Sequence, residues 1–260
     1  RMKKNILFIG YGDLGSRLAS ISKDDLVITG ISRSHKPRII PDQYHSLDWF
    51  KNSAQKVDLL KNYDCLIITL TPTSFDEAGY EKGYEEGMKL ISKLVKNISF
   101  KKSLLISSTR VYKDSEEPIN ELSNLNSEDF RAKSLLESEA IYSKEINSSQ
   151  KTIFRLSGLY DPEMKDKIFY KQVDDFQNKL IPISANLNRL SRDQAARIIM
   201  NFCINKTDVM LLNVSEPTVL AQERFKMLFP EKNFDDFFRI DNPGKQLDIS
   251  NLLKSKLLDG

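Results

Sequence analysis

Cysteine and histidine are scarce: two of each in 260 residues. Cys65 and Cys203 each sit in an apolar run, and neither His35 nor His45 stands at metal-ligand spacing from them. That argues against a disulfide scaffold, predicts no metal site, and suits buried free thiols in a reducing cytoplasm. Long apolar runs are missing too. No stretch approaches the ~20 residues a membrane helix needs, and the first nine residues are too quickly interrupted for a signal peptide. A net charge of +3 is small for this length. Lys3-Lys4 and Lys101-Lys102, beside predicted strands, read as solvated ends. Neither nucleic acid nor a membrane is therefore an expected partner.

Glycine is also sparse, yet three of the ten fall between Gly10 and Gly15. Residues Asn5 to Ala19 read NILFIGYGDLGSRLA. Ile6–Ile9 form a short apolar run suited to a strand buried on both faces. The turn Gly10-x-Gly12-x-x-Gly15 follows, and a helical pattern opens at Ser16. In this context Gly10 allows the tight turn, Gly12 lets backbone approach a pyrophosphate, and Gly15 lets helix pack close to strand. The helix N-terminus offers free N–H groups and the positive end of its dipole to phosphates.

Strand-like and helix-like runs alternate over the first 160 residues. Strands are expected at Ile6–Ile9, Leu26–Ser32, Cys65–Leu70, Ser103–Ser107 and Thr152–Leu156, with a weaker one at Tyr44–Leu47. Helices are expected at about Ser16–Ser22, Ala54–Leu60, Tyr80–Val95 and Asp129–Ile146, then at Asp193–Asn205. Met210–Val214 reads as one further strand. The alternation predicts an α/β fold, a Rossmann-type doubly wound parallel sheet with its ligand beyond the C-terminal strand ends. Residues 1–160 with 189–215 would form the dinucleotide-binding domain, and 161–188 with 216–260 a small C-terminal substrate lobe.

The end of the second strand discriminates between nicotinamide cofactors: a carboxylate there holds a ribose 2′-hydroxyl, a cation a 2′-phosphate. Here it reads Gly30-Ile31-Ser32-Arg33-Ser34, with Lys36 and Arg38 nearby and no carboxylate. NADP is preferred over NAD on that ground, with Arg33 stacking on adenine and pairing the phosphate. Asp48 falls where it would lie near the adenine ring or serve as an ordinary loop aspartate.

Three further segments, LISSTRVYKD from Leu105, FRLSGLYDP from Phe154 and NRLSRDQAARII from Asn188, stand in order after the glycine turn. Together these resemble the extended and atypical short-chain dehydrogenase/reductases, the NAD(P)-dependent epimerase/dehydratases. The resemblance spans about residues 1–215. It implies a cofactor held by Gly10, Gly12, Asp13, Leu14, Gly15, Ser32, Arg33, Ser34, Asp48, Thr69, Leu70, Thr71 and Ser107. It also implies a substrate-polarising hydroxyl at Ser108, with Thr109 and Tyr112 as further catalytic candidates. Arg155, Gly158 and Tyr160 would support or line the nicotinamide site.

Two departures stand out. Lys113 replaces the glycine usual after Val-Tyr, and no Tyr-x-x-x-Lys, the family's acid/base pair, occurs anywhere in the chain. One register puts Phe130 and Ser134 at those positions; a shift by one puts Asp129 and Lys133 there. Tyr112, Lys133, Asp129 or a water held by Ser108 are the substitutes the sequence offers. The expected function is an oxidoreductase or epimerase acting on a small polar, sugar-derived metabolite. The alternative is a catalytically impaired NADP-binding redox sensor working through protein partners; a plain nucleotide-sugar binder is a third. Leu135, Leu136 and Ile141 share a helix face that builds a dimer interface in relatives or ordinary core.

Overall fold

The computed structural model describes residues 2–33, 36–51, 56–162 and 167–259. Its centre is a seven-stranded sheet in the order β11-β6-β5-β4-β1-β2-β3, every pairing parallel. The strands are β1 (Lys4–Ile9), β2 (Leu26–Ser32), β3 (Gln43–Ser46), β4 (Asn62–Thr69), β5 (Ser99–Ser108), β6 (Lys151–Leu156) and β11 (Leu211–Val214). Strand order reverses beside β1, so the crevice beyond the C-terminal ends of β1 and β4 is where such a sheet takes a ligand.

The apolar run of β1 divides by strand periodicity. Ile6 and Phe8 join Cys65, Ile67 and Leu104 on one face, and Leu7 and Ile9 join Leu66, Ile68 and Leu105 on the other. The first face is covered by α1 (Asp13–Ile21) and α6 (Arg192–Ile204) through Leu18, Ile198, Ile199 and Phe202. The second is covered by α3 (Gly87–Leu94) and α4 (Phe130–Glu145) through Met88, Ile91 and Tyr142. Each such fully buried side chain contributes about 1.5–3 kcal/mol.

Expected and observed elements differ in two places. Residues 56–60 form no helix; Ala54 and Gln55 lie outside the described residues. Val57 and Leu59 alternate inward against the second core face, as an extended chain does. The helix expected from Tyr80 begins earlier, as α2 (Glu77–Tyr80), and passes through a π-helical turn at Glu81–Glu86 before α3. Asp76 caps its start by accepting from the Gly79 amide at 2.9 Å.

A separate phenylalanine cluster lies downstream. It joins α5 (Lys167–Asp174), β8 (Ile181–Ser184), β9 (Asn186–Leu187), α7 (Ala221–Leu228) and β13 (Phe238–Asn242) through Phe169, Ile183, Leu187, Phe225 and Phe238. Two ribbons fix this part, β9 with β12 (Val219–Leu220) and β8 with β13, while a third, β7 (Gly158–Tyr160) with β10 (Arg189–Ser191), packs Leu159 and Leu190 on the main core. The chain after β13 then leaves that cluster. Leu252 of α8 (Ser250–Lys254) and Leu257 pack in the main core, and Leu247 packs beside Val111 and Tyr112. Apolar side chains thus draw residues 247–257, expected with the lobe, back to the sheet. No helix among the described residues is long and apolar enough to cross a membrane.

Candidate functional site

The three motif glycines answer to different neighbours. At Gly10, φ is +83°, and a Cβ would fall on the Thr69 carbonyl, so only glycine fits. At Gly15 a Cβ would lie 2.5 Å from the Tyr11 ring, and at Gly30 one would lie 2.8 Å from the same ring. Tyr11 is fully buried between them and donates its hydroxyl to the Ile39 carbonyl at 2.9 Å. At Gly12 the nearest atom to a Cβ is the Gly10 carbonyl oxygen, 3.8 Å away. The chain's own packing leaves that space open.

Beside this opening is a cavity of about 230 Å³, lined by Gly10, Gly12, Ser32, Arg33, Thr69, Leu70 and Thr71 of the expected cofactor residues. Tyr11, Trp49, Phe50 and Gly83 complete the lining. The Arg33 guanidinium lies 5.6 Å from the Trp49 ring and 5.3 Å from Phe50, within cation–π range. Asp48 shapes this wall: its carboxylate accepts from the Phe50 amide at 3.1 Å and caps the turn that presents both rings. Sequence reasoning missed Trp49 and Phe50, although an aromatic pair directly after Asp48 was visible. The Ser32 hydroxyl shares a 2.6 Å hydrogen bond with Tyr44. Ser34 lies outside the described residues.

At the head of α1, Leu14 packs into the main core, while Asp13 carries a charge network. Arg17 bonds Asp13 at 2.8 Å, Asp161 at 2.7 Å and Asp193 at 2.6 Å. Arg192 and Arg38 approach Asp13 at 3.4 and 3.8 Å. Asp13 chiefly, then the other two carboxylates, hold the Arg17 guanidinium firmly charged against the opposing effect of its burial.

The Ser-Ser-Thr turn sorts its hydroxyls in opposite directions. Ser107, expected at the cofactor, donates instead to the Glu139 carboxylate at 2.6 Å. Glu139 is gripped by Arg155 at 3.0 and 2.6 Å, and Arg155 donates to the Tyr112 hydroxyl at 3.0 Å. Tyr112 donates its own hydroxyl to the Asn213 side-chain carbonyl at 2.6 Å. Tyr112 is wholly buried, and burial pushes its phenol up despite Arg155. It belongs to a core network, so the expectation of Tyr112 as a substrate-facing catalytic group is corrected here. Arg155 lies within this buried network and does not line the cavity beside the glycine turn. Glu139, its partner, was not singled out in the sequence; the buried arginine demanded a carboxylate, but spacing alone did not say which.

Ser108 remains at the strand end, partly buried. Its Oγ accepts from the Arg110 amide at 3.2 Å, capping the 3₁₀ turn Thr109–Val111. That bond uses a lone pair and leaves the O–H free to donate. Thr109 opens the turn, and its carbonyl accepts from the Tyr112 amide. Phe130 begins α4 and meets Tyr80 edge-on at 5.6 Å, so the first turn of this helix presents no phenol. Asp129 caps the helix by accepting from the Arg131 amide. Leu135 is buried against the chain's own Val111 and Tyr112; Leu136 and Ile141 pack partly buried beside it and on the sheet.

No protein-family model matches the chain, and no curated protein matches it in sequence. Solved structures do. A UDP-N-acetylglucosamine 4-epimerase from Methanobrevibacter ruminantium M1, in complex with UDP-N-acetylmuramic acid, superposes with a TM-score of 0.74 at 16% identity, over 98% of this chain and 92% of that one. A UDP-glucuronic acid 4-epimerase from Bacillus cereus in complex with NAD gives 0.74 at 15%, over 98% and 94%. A putative NAD-dependent epimerase/dehydratase from Methylobacillus flagellatus gives 0.70 at 23%, over 97% and 92%. The chain therefore has the Rossmann-type α/β fold shared with these epimerase/dehydratase structures.

Proposed function

We propose that the chain binds a nicotinamide dinucleotide across the glycine turn and works as an atypical short-chain dehydrogenase/reductase, an oxidoreductase or epimerase on a small polar, sugar-derived metabolite. The observation that carries this is Gly12. Its two companion glycines are required by Thr69 and Tyr11, whereas a Cβ at Gly12 would make only an ordinary contact with the Gly10 carbonyl oxygen. A side chain is missing where a ligand's diphosphate would lie against backbone amides and the head of α1. The fold shared with structures that hold NAD and uridine diphosphate sugars supports the same reading.

Gly10, Gly12 and the first amides of α1 would hold the diphosphate, and Arg33 with Trp49 and Phe50 the adenosine end. Arg33, with Ser32 in place of a carboxylate, favours NADP over NAD. The bound nicotinamide supplies a hydride acceptor or donor. Ser108 would orient the substrate oxygen and donate a hydrogen bond as negative charge grows on it.

Thermal unfolding with NADPH, NADP, NADH and NAD tests this. A specific cofactor raises stability by RT ln(1 + [L]/Kd). Equal, negligible shifts for all four refute it. A second reading, a cofactor-binding regulator without turnover, draws on Phe130, not a tyrosine, opening α4 and on the absence of Tyr-x-x-x-Lys from the sequence. Partner binding that depends on the cofactor's redox state, with no hydride transfer to any sugar nucleotide, distinguishes it.

A further inference from the structure

The first turn of α4 carries no phenol, but the helix packed along it brings one close. The π-helical turn Glu81–Glu86 packs along α4, and such turns collect at functional sites because they shift side chains out of α-helical register. Within it Gly83 lines the cofactor cavity and lies so close to Thr71 that a Cβ would strike the Thr71 carbonyl. The next residue, Tyr84, packs against the cluster of Val111 and Leu135, beside the Ser-Ser-Thr turn. Its ring is 5.5 Å from Tyr80, whose ring is 5.6 Å from Phe130. Tyr84 is thus confined between the cofactor cavity's lip, the turn that carries Ser108 and the first residue of α4. Among the described residues its hydroxyl has no hydrogen-bond partner.

We infer that Tyr84 is the proton donor of this site. The inference rests on the cofactor reading given above. The chemistry balances with groups already named. When a substrate carbonyl carbon gains a hydride, the C=O π pair becomes a lone pair on oxygen. The Tyr84 O–H bond breaks and its proton makes the new O–H bond. The phenolate persists until water returns a proton. The carbon gains two electrons, and the reduced nicotinamide that gives the hydride loses them. In the oxidising direction every transfer reverses.

Electrostatics fit a donor. Burial, and then Tyr80, push the phenol up to about 12, while Arg110 pulls it back. It is therefore protonated at neutral pH, the form that gives a proton away.

The test labels the full chain's tyrosines with 3-fluorotyrosine and follows them by ¹⁹F NMR. Tyr84→Phe identifies the Tyr84 resonance; should that variant not fold, Tyr80→Phe identifies it by the shift in the neighbouring ring. The resonance is titrated with pH alone, with NAD or NADP, and with NADH or NADPH, occupancy being checked by thermal shift. The expected result is a fall in the apparent pKa of Tyr84 with the oxidised cofactor and none with the reduced, because only the oxidised ring is positive. A tyrosine that merely fills space does not distinguish the two. Bound cofactor with identical Tyr84 titrations in both redox forms overturns the inference and leaves the cofactor reading standing. No stabilisation by any cofactor overturns both.

Discussion

Glu139 and Arg155 form a two-bonded fork beneath the Ser-Ser-Thr turn, at 3.0 and 2.6 Å, with both side chains less than a tenth exposed. Burial alone would favour a neutral Arg155, but the Glu139 carboxylate outweighs it and holds the guanidinium charged. Removing one partner of such a pair strands a buried charge, at about 3–5 kcal/mol. Glu139→Gln should lower stability by about that amount in urea unfolding. A loss below about 1 kcal/mol, the level of an exposed pair, would show that the fork is solvated.

The three glycines should separate structure from function. Gly10→Ala and Gly15→Val collide with Thr69 and Tyr11 and should depress the melting temperature strongly. A Cβ at Gly12 comes no nearer than 3.8 Å to the Gly10 carbonyl oxygen, an ordinary contact. Gly12→Asp should cost far less stability than the other two, yet abolish cofactor-induced stabilisation by placing bulk and negative charge at the diphosphate. Retained stabilisation in Gly12→Asp would falsify the placement of the ligand.

Arg33→Ala should narrow the gap between NADP and NAD affinity. A hydrogen bond to a charged group contributes about 1.5–3 kcal/mol, so the ratio of dissociation constants should shift by roughly ten-fold or more. Calorimetric titration of both cofactors against the variant measures it. An unchanged ratio assigns the preference, if any, to other residues.

Alkaline pH should expose the buried phenol of Tyr11. Burial pushes it from its usual 10 up to about 12, against the pull of Ser16. A raised folded-state pKa stabilises fully below the unfolded value and loses its effect as pH climbs through the folded one. Stability should therefore fall between about pH 10 and 12, and less steeply in Tyr11→Phe, which has no phenol there to ionise. Equal slopes for both proteins across that range would contradict the burial of this group.

Much of the fold could be read from residue order because its strands are buried on both faces. Runs such as Ile6–Ile9 and Leu26–Ser32 have no other use, and a glycine turn between strand and helix fixes where a ligand can lie. Val57 and Leu59 misled because two apolar residues in a short polar stretch fit helix and extended chain equally well. The lining of the candidate cavity was legible where backbone makes it, at Gly10, Gly12 and Thr69, and less so where side chains from distant segments meet. Whether Tyr112 points to a substrate or into the core depends on Arg155 and Asn213, and no local pattern records that choice. Tyr84 was invisible for a related reason. Its position follows from a π-helical turn, which the spacing of Gly79, Gly83 and Gly87 does not distinguish from regular helix.

Ile119 and Leu247 pair as a short bridge, the Ile119 amide donating to the Gln246 carbonyl and the Asp248 amide to the Ile119 carbonyl, both at 2.8 Å. The wall flanking Tyr112 therefore waits on residues that the ribosome makes long after the turn itself. Vectorial synthesis delivers the glycine turn early and this flank of Tyr112 late. A nascent chain stalled before residue 246 would carry the glycine turn and the Ser-Ser-Thr strand with the flank of Tyr112 still unfinished.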